Sequence, residues 1–166
     1  MKFDTIREYF YKMYNVLYGL ILLPLAAFIF VYLQIQSERL EPYFKGEDLG
    51  VRLILIVIGF VILTDLIVSS LIYNTRLKSV RRIESLGERL MSYYKLTVVR
   101  FSIVVAGLMV LAGGFYLTES QYFTGMFVVS LGLLSLVWPI PSKVCKDLQL
   151  RGDERLMVLY KKENLY

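Results

Sequence analysis

Leu53-Ile-Leu-Ile-Val-Ile-Gly-Phe-Val-Ile-Leu-Thr-Asp65-Leu-Ile-Val-Ser69-Ser70-Leu-Ile-Tyr73 is the stretch that decides the fold. A bilayer-spanning helix needs about 20 predominantly apolar residues, and this run supplies them with one carboxylate near its middle. A charge at that depth costs about 2.5–3.5 kcal/mol on insertion scales and faces a protein interior or a water-filled cavity. Membrane insertion and a special role for Asp65 are the first two expectations.

Three further runs share this character. Met13 to Ser37 carries no charge and forms the first span, about 13–36, with Pro24 inside it. Proline has no N–H to give, so the Leu20 carbonyl four residues earlier loses its partner. The quoted stretch is the second span, 53–73; the third covers about 101–117 and the fourth about 122–138, where Pro139 and Pro141 end it. Thr118-Glu-Ser-Gln121 is short enough to make spans three and four neighbours. The expected fold is all-α: four antiparallel transmembrane helices in one membrane domain over residues 1–162. At the terminus, Glu163-Asn-Leu-Tyr166 matches the start of a viral protease recognition site and is read as the remnant of an expression tag. The opening residues do not read as a cleaved signal peptide, because Asp4 and Glu8 interrupt the basic region and the apolar run is too long.

Composition agrees with this reading. Of the 166 residues 57% are hydrophobic, with a mean hydropathy of +0.57. Soluble domains hold about 45–50% apolar residues, so the excess must face something other than water. The formal charge of +5 does not point to nucleic acid, because the basic residues flank the apolar runs instead of forming a domain of their own. Their distribution fixes an orientation. The entry before span one holds three Lys or Arg, the 74–100 connection seven and the tail beyond residue 138 six, while the 38–52 loop holds three and the 118–121 turn none. Positive charge favours the cytoplasmic side, which places both termini inside the cell (inner) membrane.

Leu77, Val80, Ile83, Leu86, Leu90 and Tyr93 recur at threes and fours through 74–100. That period predicts that the helix of span two continues to about Ser85, or that an amphipathic helix follows it. The tail is expected to form two short helices, 142–150 and 154–161, broken by Gly152.

The absence of histidine is informative. It removes histidine metal sites, bis-histidine haem and every serine–histidine or cysteine–histidine pair. The single Cys145 cannot form an intrachain disulfide. Asp65 has no second ionisable group beside it in the hydrocarbon stretch, so the paired aspartates of intramembrane proteases are missing. The Arg151-Gly152-Asp153 tripeptide would lie in the cytoplasm and carries no adhesion meaning there. No catalytic activity, cofactor or metal is expected.

Two candidate sites remain. Asp65, with Ser69 one turn away and the freed Leu20 carbonyl at the same depth, forms an expected ion or proton site. Ala106, Gly107 and Gly132 supply small side chains at that level. Arg76, Lys78, Arg81 and Arg82 follow directly on span two and form an expected lipid- or partner-binding segment, each cation near the surface being worth roughly 1 kcal/mol. Ordinary topology anchoring is the plainer account of the same four residues.

The segment Pro139-Ile-Pro-Ser-Lys143-Val-Cys-Lys-Asp147-Leu148-Gln-Leu150, followed by Glu154, resembles the tail of a group of small uncharacterised four-span bacterial membrane proteins. The resemblance covers about a fifth of the chain and implies a fold but no activity. Small multidrug-resistance transporters are similar in architecture alone, their single membrane carboxylate being a glutamate in the first span. Four helices enclose little volume, so oligomerisation is expected, on small-residue faces such as Gly107/Gly114 or Ser130/Gly132. Two functions follow: an oligomeric ion- or proton-coupled channel or transporter using Asp65, or a non-catalytic accessory subunit that binds a partner or anionic lipid through its basic segments.

Overall fold

The computed structural model describes residues 5–37, 39, 44 and 49–160. Residues 163–166, read above as a tag remnant, and most of the 38–48 loop lie outside the described residues. Among the described residues 87% are helical and none is in a strand. Six helices follow in order: α1 (Ile6–Gln36), α2 (Leu49–Val80), α3 (Leu86–Thr118), α4 (Gln121–Leu136), α5 (Pro141–Asp147) and α6 (Gly152–Tyr160). The first three are long and apolar enough to cross a membrane, and α4 with α5 makes a fourth candidate if the pair, bent by 74°, counts as one span.

The residues group into two compact units. One unit holds residues 1–18, 70–101 and 138–166; the other holds 19–69 and 102–137. Chemistry separates them. Thirteen of the fifteen described Lys and Arg residues belong to the first unit, and the second has only Arg39 and Arg52. We call them the charged unit and the apolar unit.

The charged unit buries a helical stripe of α1: Ile6, Tyr9, Phe10, Met13 and Leu17. Their spacing of threes and fours puts one apolar face inward. Also buried in this unit are Tyr73, Leu77 and Val80 of α2 and Leu90, Tyr93 and Phe101 of α3. The 74–100 periodicity is thus a true burial pattern, but two helices share it. α2 stops at Val80 instead of running to Ser85. Arg82 N–H and Ile83 N–H each bond three residues back, at 3.2 Å, tightening the last turn. Arg89 Nε then binds the Ile83 carbonyl at 2.8 Å and its Nη2 the Glu84 carbonyl at 3.1 Å. The Arg89 side chain thus holds two carbonyls of the short segment that joins α2 to α3. α3 begins at Leu86, fifteen residues before the expected third span.

In the apolar unit the usual order is inverted. Phe60 is 71% exposed and Leu136 76%, and Leu22, Phe30, Ile56 and Leu63 all exceed 60%. The interior is built on α3: half of its apolar window is buried, against 17% for α1 and 6% for α2. Phe28 stacks on Phe127 at 4.2 Å and on Phe115 at 5.2 Å. Gly114 is the close-approach point, because a Cβ there would lie 2.6 Å from Phe123 Cε1 and 2.8 Å from Ile58 Cδ1. The Gly107/Gly114 face, expected to serve oligomerisation, is therefore taken up inside the chain. Small residues let backbone and side chain meet closely, and here the partner is intramolecular. The α3–α4 turn is made by Glu119 and Ser120, with Thr118 Oγ1 donating to the Gly114 carbonyl at 2.9 Å.

The tail breaks at Gln149, not at Gly152. Gln149 has a φ of 53°, its N–H bonds the Lys146 carbonyl at 3.2 Å and the Leu150 N–H bonds the Cys145 carbonyl at 2.9 Å. This pair is the Schellman closure of α5, with a left-handed residue just past the cap. Gly152, at φ 55°, is the first residue of α6.

Candidate functional site

Asp65 belongs to the apolar unit, half-buried on α2. Its Oδ2 lies 2.7 Å from the position a Cβ on Gly107 would take. The missing side chain of Gly107 makes room for the carboxylate against α3; of the three small residues expected at that level, Gly107 is the one beside it. Ser69 does not join them. Its Oγ donates to the Leu66 carbonyl at 3.0 Å, because a helical serine bonds back to its own preceding turn more readily than it reaches along the helix. Leu20 is half-buried on α1, and no hydrogen bond links it to Asp65. Nothing lies within 4 Å of a Cβ at Gly132, and Ala106 is exposed. Among the described residues none gives the Asp65 carboxylate a hydrogen bond or a cation.

An apolar cleft of about 810 Å³ runs between α2 and α4, lined by Gly59, Ile62, Leu63 and Leu66 on one side and Gly125, Met126 and Val129 on the other. Asp65 is not part of its lining. A helix that shows Leu66 to the cleft turns its neighbour Asp65 through about 100°, toward α3. This opening beside α2 is thus apolar.

The basic segment divides. Arg76, Lys78 and Arg82 are exposed on and just past the last turns of α2 and have no ion-pair partner among the described residues. Arg81 is different: half-buried, it gives its Nε to the Asp147 backbone carbonyl at 2.6 Å. That bond ties it to α5, unlike the other three.

Asp147 is the centre of the polar cluster that sequence reasoning missed. Tyr73 donates to its Oδ2 at 2.7 Å and Tyr93 at 3.0 Å, the two phenol oxygens lying 3.2 Å apart. The Arg100 guanidinium sits 4.3 Å above the Tyr73 ring, a cation–π contact. Burial, with Tyr73 and Asp147 beside it, pushes the Tyr93 phenol above its ordinary range, so it acts as a donor and not as a base. The cluster holds one carboxylate acceptor, two phenol donors and one backbone carbonyl. That is the composition of a tie between α5 and the ends of α2 and α3. The only sequence hint was Asp147 within its tail motif; the tyrosines lie 20 residues apart on different helices, where no local spacing shows them.

Among the described residues no group of three or more Cys, Asp or Glu is placed to hold a metal ion. The fold and these sites together define a class: an all-helical protein with three to four apolar helices of membrane-crossing length and a segregated basic unit. Comparison with protein-family models, with curated proteins and with solved structures finds no match to this chain.

Proposed function

We propose that this chain is a multi-pass protein of the cell (inner) membrane, with four spans and both termini cytoplasmic. Its proposed role is that of a non-catalytic accessory subunit whose charged unit binds anionic lipid headgroups. The observation that carries the reading is the set Arg76, Lys78 and Arg82, exposed and without ion-pair partners among the described residues just where the apolar stretch ends. A cation at that level gains roughly 1 kcal/mol from an anionic membrane surface. The inverted exposure of the apolar unit supports insertion, since apolar surface on that scale is unfavourable in water.

The test is native mass spectrometry of the detergent-extracted protein with an anionic phospholipid and with phosphatidylcholine. The triple variant Arg76→Gln, Lys78→Gln, Arg82→Gln should lose up to about 100-fold in retention of the anionic lipid, three contributions of ~1 kcal/mol each. Retention unchanged by the triple variant sinks the reading.

A second reading, ion or proton transport through Asp65 in an oligomer, is favoured by one observation: its carboxylate has no partner among the described residues. Asp65→Asn keeps hydrogen bonding but cannot ionise. If Asp65→Asn abolishes a wild-type flux in reconstituted vesicles, transport displaces the accessory role; an unaltered flux discards the site.

A further inference from the structure

Lys146, Arg151 and Arg155 come from three successive pieces of chain: α5, the connection after it, and α6. The Schellman closure at Gln149 and the left-handed start of α6 at Gly152 fold those pieces back on one another. Buried Val144, Leu148, Leu150 and Val158 hold the reversal in place. Between the arms lies a concavity of about 540 Å³, and all three basic residues line it together with Ser142 and Gln149. Cys145 forms part of its wall, its Sγ donating to the Arg155 carbonyl at 3.8 Å.

What makes this a site is where the acids go. Asp147 accepts from Tyr73 and Tyr93, and Glu154 pairs with Arg89 at 3.0 Å. Asp153 is exposed and outside the lining. None of the three cations has an ion-pair partner among the described residues. Three positive groups therefore face one hollow with no carboxylate in its described wall. Like charges repel at close range, and an anion between them relieves that repulsion. Arginine offers planar paired N–H donors and lysine a compact charge, a combination suited to the several oxygens of a phosphate group.

We propose that the α5–α6 hollow binds a phosphate group, Lys146, Arg151 and Arg155 supplying the charge and Ser142 and Gln149 neutral hydrogen bonds. This inference uses none of the α2 cations and stands without the lipid reading made from them. The phosphate belongs either to a lipid headgroup or to a small soluble phosphate, and the chemistry of the hollow is the same for both.

Cys145 is the chain's only cysteine and is buried, so its alkylation rate in the purified full chain reads the opening of the α5–α6 hollow, which a bound anion opposes. Inorganic phosphate and a short-chain phosphatidic acid are the two probes, with chloride at matched ionic strength as control. Each probe is titrated against wild type, the three single glutamine variants and Arg155→Lys. Phosphate should slow alkylation where chloride does not, and each glutamine variant should raise the concentration required about fivefold, equivalent to ~1 kcal/mol per cation. Arg155→Lys, which keeps the charge, should stay close to wild type. Protection by the lipid at lower concentration than by inorganic phosphate assigns the headgroup source; equal protection assigns the soluble one. No protection by either probe, or equal protection in wild type and glutamine variants, overturns the proposal. Retention of the triple α2 variant's protection with loss of its lipid binding would separate this site from that one.

Discussion

Gly113 and Gly114 are adjacent in α3, and the structure gives the same substitution opposite signs at the two positions. At Gly113 nothing lies within 4 Å of an added Cβ, while at Gly114 the added atom meets Phe123 at 2.6 Å and Ile58 at 2.8 Å. Phe123 is fully buried, so its ring cannot swing away at small cost. Alanine is preferred over glycine in a helix by about 0.8–1.0 kcal/mol, and this gain is common to both variants. Overpacking of a filled interior costs typically about 1–3 kcal/mol and applies to Gly114 alone. Gly113→Ala should therefore stabilise by up to about 1 kcal/mol, and Gly114→Ala should fall about 1–3 kcal/mol below it. The assay is equilibrium unfolding by SDS titration in mixed micelles, followed by near-UV ellipticity as a reading of aromatic packing. Adding Phe123→Leu to Gly114→Ala should recover part of the difference, because residues in contact couple. Identical stabilities for the two alanine variants would refute the close packing of α3 on Phe123.

Three further outcomes follow, one from the distribution of Lys and Arg and two from the Asp147 cluster. In a Cys145→Ala background, cysteine at Ser79 or Ser142 should resist an impermeant thiol reagent added to intact cells and cysteine at Ser37 should react; the reverse pattern overturns the proposed orientation. Asp147→Ala leaves the Tyr73 and Tyr93 hydroxyls without their acceptor and should cost about 1–3 kcal/mol in the same unfolding assay. Tyr73→Phe, which removes one donor and leaves the other, should cost about 0.5–1.5 kcal/mol, and equal losses for the two would show that Asp147 is not the shared acceptor.

The helices were legible because their signals are local. Apolar length marked the four runs, and the threes and fours from Leu77 to Tyr93 marked buried faces correctly, since Leu77, Val80, Leu90 and Tyr93 are all buried. Period alone could not say that a break at Arg81–Ser85 divides them, because what marks that break is the Arg89 side chain reaching back to the Ile83 and Glu84 carbonyls. The tail break was misplaced for a related reason: glycine is the usual left-handed residue, and here Gln149 takes that conformation first. At the sites, helix depth puts Asp65 level with Ala106, Gly107 and Gly132, and Gly107 is the one that lies against the carboxylate. The Asp147 cluster and the α5–α6 hollow stayed hidden, since both depend on side chains that only the folded tail brings together.

The one tryptophan of the chain sits at the α4–α5 break, 5.9 Å from the Tyr14 ring, 5.0 Å from Tyr18 and 5.8 Å from Phe101. Tyr14 also donates to the carbonyl of Pro139, the next residue, at 3.3 Å. Excited at its red edge, where the chain's thirteen tyrosines do not absorb, this single indole emits alone. Its wavelength and polarisation then report the wetting and stiffness of that bend, with no label attached.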